Sequence, residues 1–280
     1  MRTLVPFRWF GGKARKVHFI LPHFPPHYTY VEPFGGAAAL LLAKPPSPVE
    51  VYNDLDEGLV TFFRVLRNPN QFRELARLLR LTPYSREEYQ QAARTLRETS
   101  WTDDVSRAWC FFIAAQQSFS GVLFGGWSRS VKTSRRGMAK CTSDWHTAIS
   151  RLTLVRHRLA QVQIEHSDFR QIISAFDTPD TLFYCDPPYV TGTRKGGKYL
   201  LEMSDNDHRD LVRLLLQIKG KALVSGYAHP IYTPLEEGGW RRVDFPARCQ
   251  VAGRTRASAK ALTSQARTES LWISPNCEEE

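Results

Sequence analysis

Apolar residues return along this chain with two different periods. Between Leu59 and Leu81 the spacing is helical: Phe62, Phe63, Val65 and Leu66, then Phe72, Leu75, Leu78 and Leu79. That spacing predicts an amphipathic segment. Asn68-Pro69-Asn70 divides it into two helices, because proline cannot continue the first. Ser85-Arg86-Glu87-Glu88 resembles a capping box and opens a further helix. Val105 to Gln117 and Trp145 to Val162 are expected to be helical as well. So is Asp205 to Ile218, whose leading acids and trailing Lys219-Gly220 suit the helix dipole and a C-cap.

Short apolar runs bounded by turn residues predict strands. They are Tyr30-Val31-Glu32, Val49 to Asn53, Val162 to His166, Thr181 to Cys185, Leu223 to Ser225 and Leu271 to Ser274. The segment from Ser118 to Asp144 fits neither period. It holds Gly121, Gly125, Gly126 and Gly137 among Arg129, Lys132, Arg135, Arg136 and Lys140, and reads as a basic loop or β-hairpin. Strands and helices alternate from Val162 onward, so the fold class is α/β.

Charge narrows the partners. The 280 residues carry a formal net charge of +10, with 42% hydrophobic and 24% charged residues. The balance is globular, and a polyanion such as nucleic acid accounts for the excess of cations. A basic soluble protein without such a partner is the alternative. No run approaches the ~20 apolar residues of a membrane span. Arg2, Arg8 and Lys13 interrupt any apolar leader, so a cytoplasmic location is expected. The five cysteines are scattered without metal-ligand spacing, so no metal is expected. Cys185 belongs to an apolar strand and reads as core. No cysteine sits in a setting that marks it as a catalytic nucleophile.

Three motifs carry chemistry. Asp186-Pro187-Pro188-Tyr189 follows the Thr181 to Cys185 strand, at the strand end where α/β proteins keep their sites. The Asp186 carboxylate and the donor-free backbone of the proline pair would accept hydrogens from an exocyclic amine, and Tyr189 would stack on its ring. A strand ending in a proline turn is the plainer reading of the same four residues. Tyr30-Val31-Glu32-Pro33-Phe34-Gly35-Gly36-Ala37-Ala38-Ala39-Leu40 reads as a strand, a glycine turn and a helix start, which brings backbone close to a nucleoside. Asn53-Asp54, ending the next strand, places an acid about 20 residues after that turn, where it suits a ribose hydroxyl.

In order along the chain, Trp9-Phe10-Gly11-Gly12-Lys13, Val31 to Gly36, Asn53-Asp54, Ser167-Asp168-Phe169, Asp186 to Tyr189, Ala222 to Tyr227 and Arg267 to Ile273 resemble the motifs of the Dam-type DNA adenine-N6 methyltransferases. The resemblance implies a Rossmann-like methyltransferase sheet split between residues 1–57 and 161–280. It also implies a mostly helical inserted DNA-recognition domain over 58–160. It implies S-adenosylmethionine as cofactor, held by Trp9, Lys13, Glu32, Pro33, Phe34, Gly35, Gly36, Asp54, Asp168, Phe169 and Asp186. Asp186, Pro187, Pro188 and Tyr189 become the catalytic residues, acting on an adenine flipped out of duplex DNA. Arg129, Lys132, Arg135, Arg136 and Lys140, with Arg254 and Arg256 in a second basic run, are the expected DNA contacts. Phe119, Leu123, Phe124 and Trp127 are candidates to wedge or stack, with packing inside the insert as the alternative. The chain departs from the family at Ala38, where a further glycine is usual; an alanine there tolerates fewer backbone angles. An Asp rather than Asn or Ser before the prolines disfavours protein-amide and cytosine-N4 substrates. RNA methylation and a catalytically silent nucleic-acid binder remain the rival readings.

Overall fold

The computed structural model describes residues 4–97, 101, 103–193, 201–248 and 266–278. Among them are nine strands: β1 (Thr29–Glu32), β2 (Val49–Asn53), β3 (Ser134–Arg135), β4 (Met138–Ala139), β5 (Val162–Glu165), β6 (Thr181–Cys185), β7 (Lys221–Gly226), β8 (Arg241–Arg248) and β9 (Ala266–Ile273). The α-helices are α1 (Val17–Ile20), α2 (Glu57–Arg67), α3 (Pro69–Leu81), α4 (Arg86–Thr95), α5 (Asp104–Gln117), α6 (Lys140–Leu159), α7 (Phe169–Phe176), α8 (Asp205–Leu215) and α9 (Thr233–Glu237). The chain is a mixed α/β fold with a seven-strand, mostly parallel central sheet. Its contacts divide it into two compact units. The first comprises 1–17, 36–44 and 54–166, and the second 18–35, 45–53 and 167–280.

In the second unit six strands run in the order β2-β1-β6-β7-β9-β8. The pairs β1–β2, β1–β6 and β6–β7 are parallel, while β9 runs antiparallel to both β7 and β8. All five residues of β6 are buried, as a strand covered on both faces requires. Val31, Val51, Phe183 and Val224 from the sheet pack with Ile172 and Ile173 of α7 and Leu211, Val212 and Leu215 of α8. The chain leaves β1 toward β2 on one side and returns to β6 on the other. This reversal of strand order makes the carboxyl ends of β1 and β6 the position where open α/β sheets bind ligands. Val31 pairs with Phe183, so Pro33-Phe34-Gly35 and Asp186-Pro187-Pro188 emerge side by side.

The first unit is mostly helical. Asn68 ends α2 and caps α3 through its side chain, and Pro69 occupies the first helical position, so the break expected at Asn68-Pro69-Asn70 is the observed one. Phe62 and Phe63 of α2, Phe111 and Phe112 of α5 and Trp145 of α6 are fully buried. Phe7 packs edge-on against Phe62 and Phe111. The expected basic hairpin is present as β3–β4, with Arg136 and Gly137 at positive φ in its tight turn.

Three expectations need correction, and one strand is not among those expected. No regular helix follows the glycine turn. Residues 36–43 form successive turns, because Gly36 (φ 49°) and Ala38 (φ 55°) both adopt the left-handed conformation that a helix cannot contain. Ser85 caps α4 by accepting from the Glu87 N–H, whereas a reciprocal capping box is made by Ser204 and Asp207 at α8. The helix expected from Trp145 begins at Lys140, directly after β4. The edge strand β8 is absent from the expected strands, although Val243, Phe245 and Ala247 alternate along it. It carries Pro246, which such an edge position tolerates.

Candidate active site

In the second unit the Asp186-Pro187-Pro188-Tyr189 motif grows directly from β6. Cys185 is fully buried, Asp186 is half-buried, and Pro187 and Tyr189 are buried. Burial, reinforced by the charge of Asp186, pushes the Cys185 thiol well above its usual range. A thiolate nucleophile is therefore disfavoured there. Burial first, and the Asp186 charge among the further causes, also raise the Tyr184 and Tyr232 phenols. The Tyr189 hydroxyl donates to Glu269 at 2.9 Å, and its ring meets Tyr227 edge-on at 4.9 Å.

The glycine turn and the segment before α7 are joined by one side chain, Asn53. Its amide donates to the carbonyls of Pro33 (2.8 Å) and Ser167 (2.9 Å) and accepts from the Ser167 N–H (2.9 Å). The Gly35 N–H adds a bond to the Asn53 carbonyl at 2.8 Å. Asn53 is not among the expected cofactor or catalytic residues; the signal for it is an amide-bearing residue at a strand end, beside the acid. Gly35 is required sterically, because a Cβ there would lie 2.2 Å from the ring of buried Tyr52. Glu32 is buried and accepts from the Tyr30 hydroxyl at 2.7 Å. Phe34 and Phe169 lie 5.3 Å apart, and the Arg170 guanidinium covers Phe169 at 4.4 Å. Asp168 caps α7 through the Arg170 N–H and pairs with the Arg170 side chain, which also reaches Asp207 and Asp210.

The first unit holds Trp9, Lys13, Gly36 and Asp54. The Asp54 carboxylate accepts from the Gly36 N–H and the Asp56 N–H, both at 2.9 Å. Burial raises its carboxyl to about 6, against the opposing pull of these two bonds. A carboxylate has more acceptor sites than those two donors use, which suits further hydroxyl donors. Asp56, not Asp54, caps α2. The Trp9 indole packs on Gly36, where a Cβ would sit 3.0 Å from the ring nitrogen. Lys13 is buried, with its ammonium reaching the Gly11 carbonyl at 3.3 Å.

The cations of the hairpin segment have two roles. Arg135 and Lys140 pair with Asp144, which also binds Arg8. Burial opposes it, but Lys140 and Arg8 hold the Asp144 carboxyl below its usual value. Arg129, Lys132 and Arg136 are exposed, and Arg136 donates to Thr147. Among the aromatic candidates, Phe119 is 41% exposed, whereas Trp127 is built into the unit. Trp127 donates to Gln117, packs on Tyr84 and lies under Arg86, so packing within the first unit is the better account of it. Arg254 and Arg256 lie outside the described residues. Among the described residues, no group of three or more His, Cys, Asp or Glu is placed to hold a metal, and no helix is long and apolar enough to cross a membrane.

A parallel sheet carrying a glycine turn and an acid-proline motif on adjacent strand ends defines a Rossmann-like methyltransferase. The model of the D12 class N6 adenine-specific DNA methyltransferases matches residues 9–233, and the chain belongs to that family, of which the Dam-type enzymes are close members. It is accordingly an adenine-specific DNA methyltransferase. No curated protein gives a significant match to the chain.

Proposed function

We propose that the enzyme transfers a methyl group from S-adenosylmethionine to N6 of adenine in duplex DNA, at a short specific sequence, on a base extruded from the helix. The observation that carries this reading is the pairing of β1 with β6, which sets the glycine turn beside Asp186. When bound, S-adenosylmethionine supplies an electrophilic methyl group on its sulfonium. Asp54 suits its ribose hydroxyls, Lys13 its carboxylate, and Phe34 and Phe169 its adenine. Glu32, Pro33, Gly35, Gly36 and Trp9 shape the backbone that cradles it.

The adenine amine is a weak nucleophile because its lone pair is delocalised into the ring. The Asp186 carboxylate accepts one amine hydrogen, and a carbonyl of the proline pair, which has no N–H to compete, accepts the other. These bonds draw the nitrogen toward tetrahedral geometry and aim its lone pair at the methyl group. The gain comes from orientation. Asp186 need not be a strong base, since the proton leaves after attack. Tyr189 stacks on the base.

A paired base hides its amine, so the nucleotide must leave the stack. Arg129, Lys132 and Arg136 on the exposed hairpin segment, together with Arg254 and Arg256, serve as phosphate contacts. Phe119 serves as the stacking residue. In this reading residues 58–160 recognise the sequence, while 1–57 and 161–280 carry the chemistry. The test is expression in a methylation-free host followed by mapping of N6-methyladenine. Methylated adenine confined to one short sequence is expected, and soluble enzyme that leaves the genome unmodified would overturn the proposal.

A further inference from the structure

Glu269 is a carboxylate where a sheet ordinarily keeps none. It is 2% exposed, and burial of a charged side chain is costly unless a partner satisfies it. Its position follows from strand direction. Because β9 runs antiparallel to β7, its early residues lie at the carboxyl edge of the parallel strands, where the chemistry is. Ser270 pairs with Gly226, the last residue of β7, so Glu269 falls beside Tyr227, and across the outer strand it pairs with Phe245. There it receives the Tyr189 hydroxyl at 2.9 Å. Tyr189 itself is 6% exposed and is braced edge-on by Tyr227 at 4.9 Å. The ring that closes the catalytic motif is therefore fixed at both ends: its backbone by the proline turn, its hydroxyl by a residue 80 positions away.

We propose that Glu269 is a positioning residue for methyl transfer. Its carboxylate sets the plane of the Tyr189 ring before the target base arrives, so the base is stacked in one orientation relative to Asp186. Glu269 lies beyond the matched family segment, which ends at residue 233. The inference rests on the proposed stacking of Tyr189 on the base. A carboxylate is a stronger acceptor for a phenol than a neutral group, and a ring held by such a bond loses little orientational freedom on binding.

The test is single-turnover methyl transfer to unmethylated genomic DNA with a radiolabelled methyl donor, comparing Glu269→Ala, Glu269→Gln, Tyr189→Phe and the Tyr189→Phe/Glu269→Ala pair. Glu269→Ala and Tyr189→Phe should each slow transfer about tenfold, the loss expected for one charge-assisted hydrogen bond. Donor affinity by calorimetry should stay within about twofold, because the bond acts on the base and not on the donor. Glu269→Gln keeps an acceptor oxygen and should recover most of the rate. In the double variant the second change should add less than about twofold to the first, as two ends of one interaction require. A merely structural role would lower the melting temperature without this pattern. Should Glu269→Ala fail to fold, Tyr189→Phe and Glu269→Gln decide. Wild-type rates in Tyr189→Phe, or fully additive losses in the double variant, would overturn the role of Glu269 while leaving the methyltransferase reading intact. A wild-type enzyme that labels no DNA would overturn that reading itself.

Discussion

Replacing Asn53 by alanine is expected to be among the most damaging single changes in the second unit. Its side chain is fully buried, and both amide hydrogens and the amide oxygen are used. Deletion removes three hydrogen bonds and strands the Pro33 carbonyl, the Ser167 carbonyl and the Ser167 N–H. Each bond contributes about 1 kcal/mol net, and each buried orphan costs about 1–3 kcal/mol where water cannot replace the partner. Partial relaxation keeps the total below the sum, at roughly 3–5 kcal/mol, a large share of the ~5–15 kcal/mol by which a protein of this kind is stable. With a urea slope of about 3 kcal/mol/M, the unfolding midpoint should fall by about 1–1.7 M. Asn53→Asp separates shape from bonding. It keeps the acceptor for the Ser167 N–H but sets a carboxylate against two carbonyl oxygens, so it should not rescue. Tryptophan fluorescence in urea measures both variants, and calorimetry should show weakened S-adenosylmethionine binding in whatever remains folded. A loss under about 1 kcal/mol for Asn53→Ala would refute the view that this amide holds the glycine turn to the α7 entry.

Gly35→Ala drives a methyl group into the buried Tyr52 ring, 2.2 Å from its nearest carbon, and should cost about 1–3 kcal/mol in the same urea assay; an unchanged midpoint would show that the loop yields freely. Burial raises Asp54 to about 6 from an ordinary 3.8, so its contribution to stability is complete below about 3.8 and lost as pH rises through about 6. The carboxylate proposed to accept ribose hydroxyls forms over that same window. Donor affinity should therefore decline as pH falls below about 6, and Asp54→Asn should flatten the calorimetric pH profile. Asp186→Ala should abolish methyl transfer in the radiolabel assay while DNA affinity by gel shift changes less than about twofold; preserved turnover would defeat the role given to Asp186. Neutralising Arg129, Lys132 and Arg136 together should reduce the slope of log K against log salt by about 0.9 for each phosphate no longer neutralised, and an unchanged slope would remove the hairpin from the DNA interface.

Much of the fold is legible along the chain because its elements are local. The buried run of β6, the helical periods of α2 and α3, the break at Asn68-Pro69 and the basic hairpin all depend on neighbours within a few residues. Two kinds of feature are not legible. A left-handed residue such as Ala38 has no side-chain signature, so a turn reads as the start of a helix. Strand β8 carries Pro246 inside its run, which argues against a strand until the sheet places that run at an edge.

The sequence by itself determined the chemistry: an acid before two prolines and a tyrosine, a glycine turn after a strand, and the order of these motifs, since bond-forming groups and backbone permissions are properties of residue type. Tertiary structure alone decided which distant side chains hold that chemistry in place. Asn53 reaches Ser167, Tyr189 reaches Glu269, and Asp144 reaches Arg8, contacts that spacing does not predict. The reason is geometric. Strand pairing brings together residues whose separation along the chain carries no period, and only the direction and register of the strands fix which of them meet.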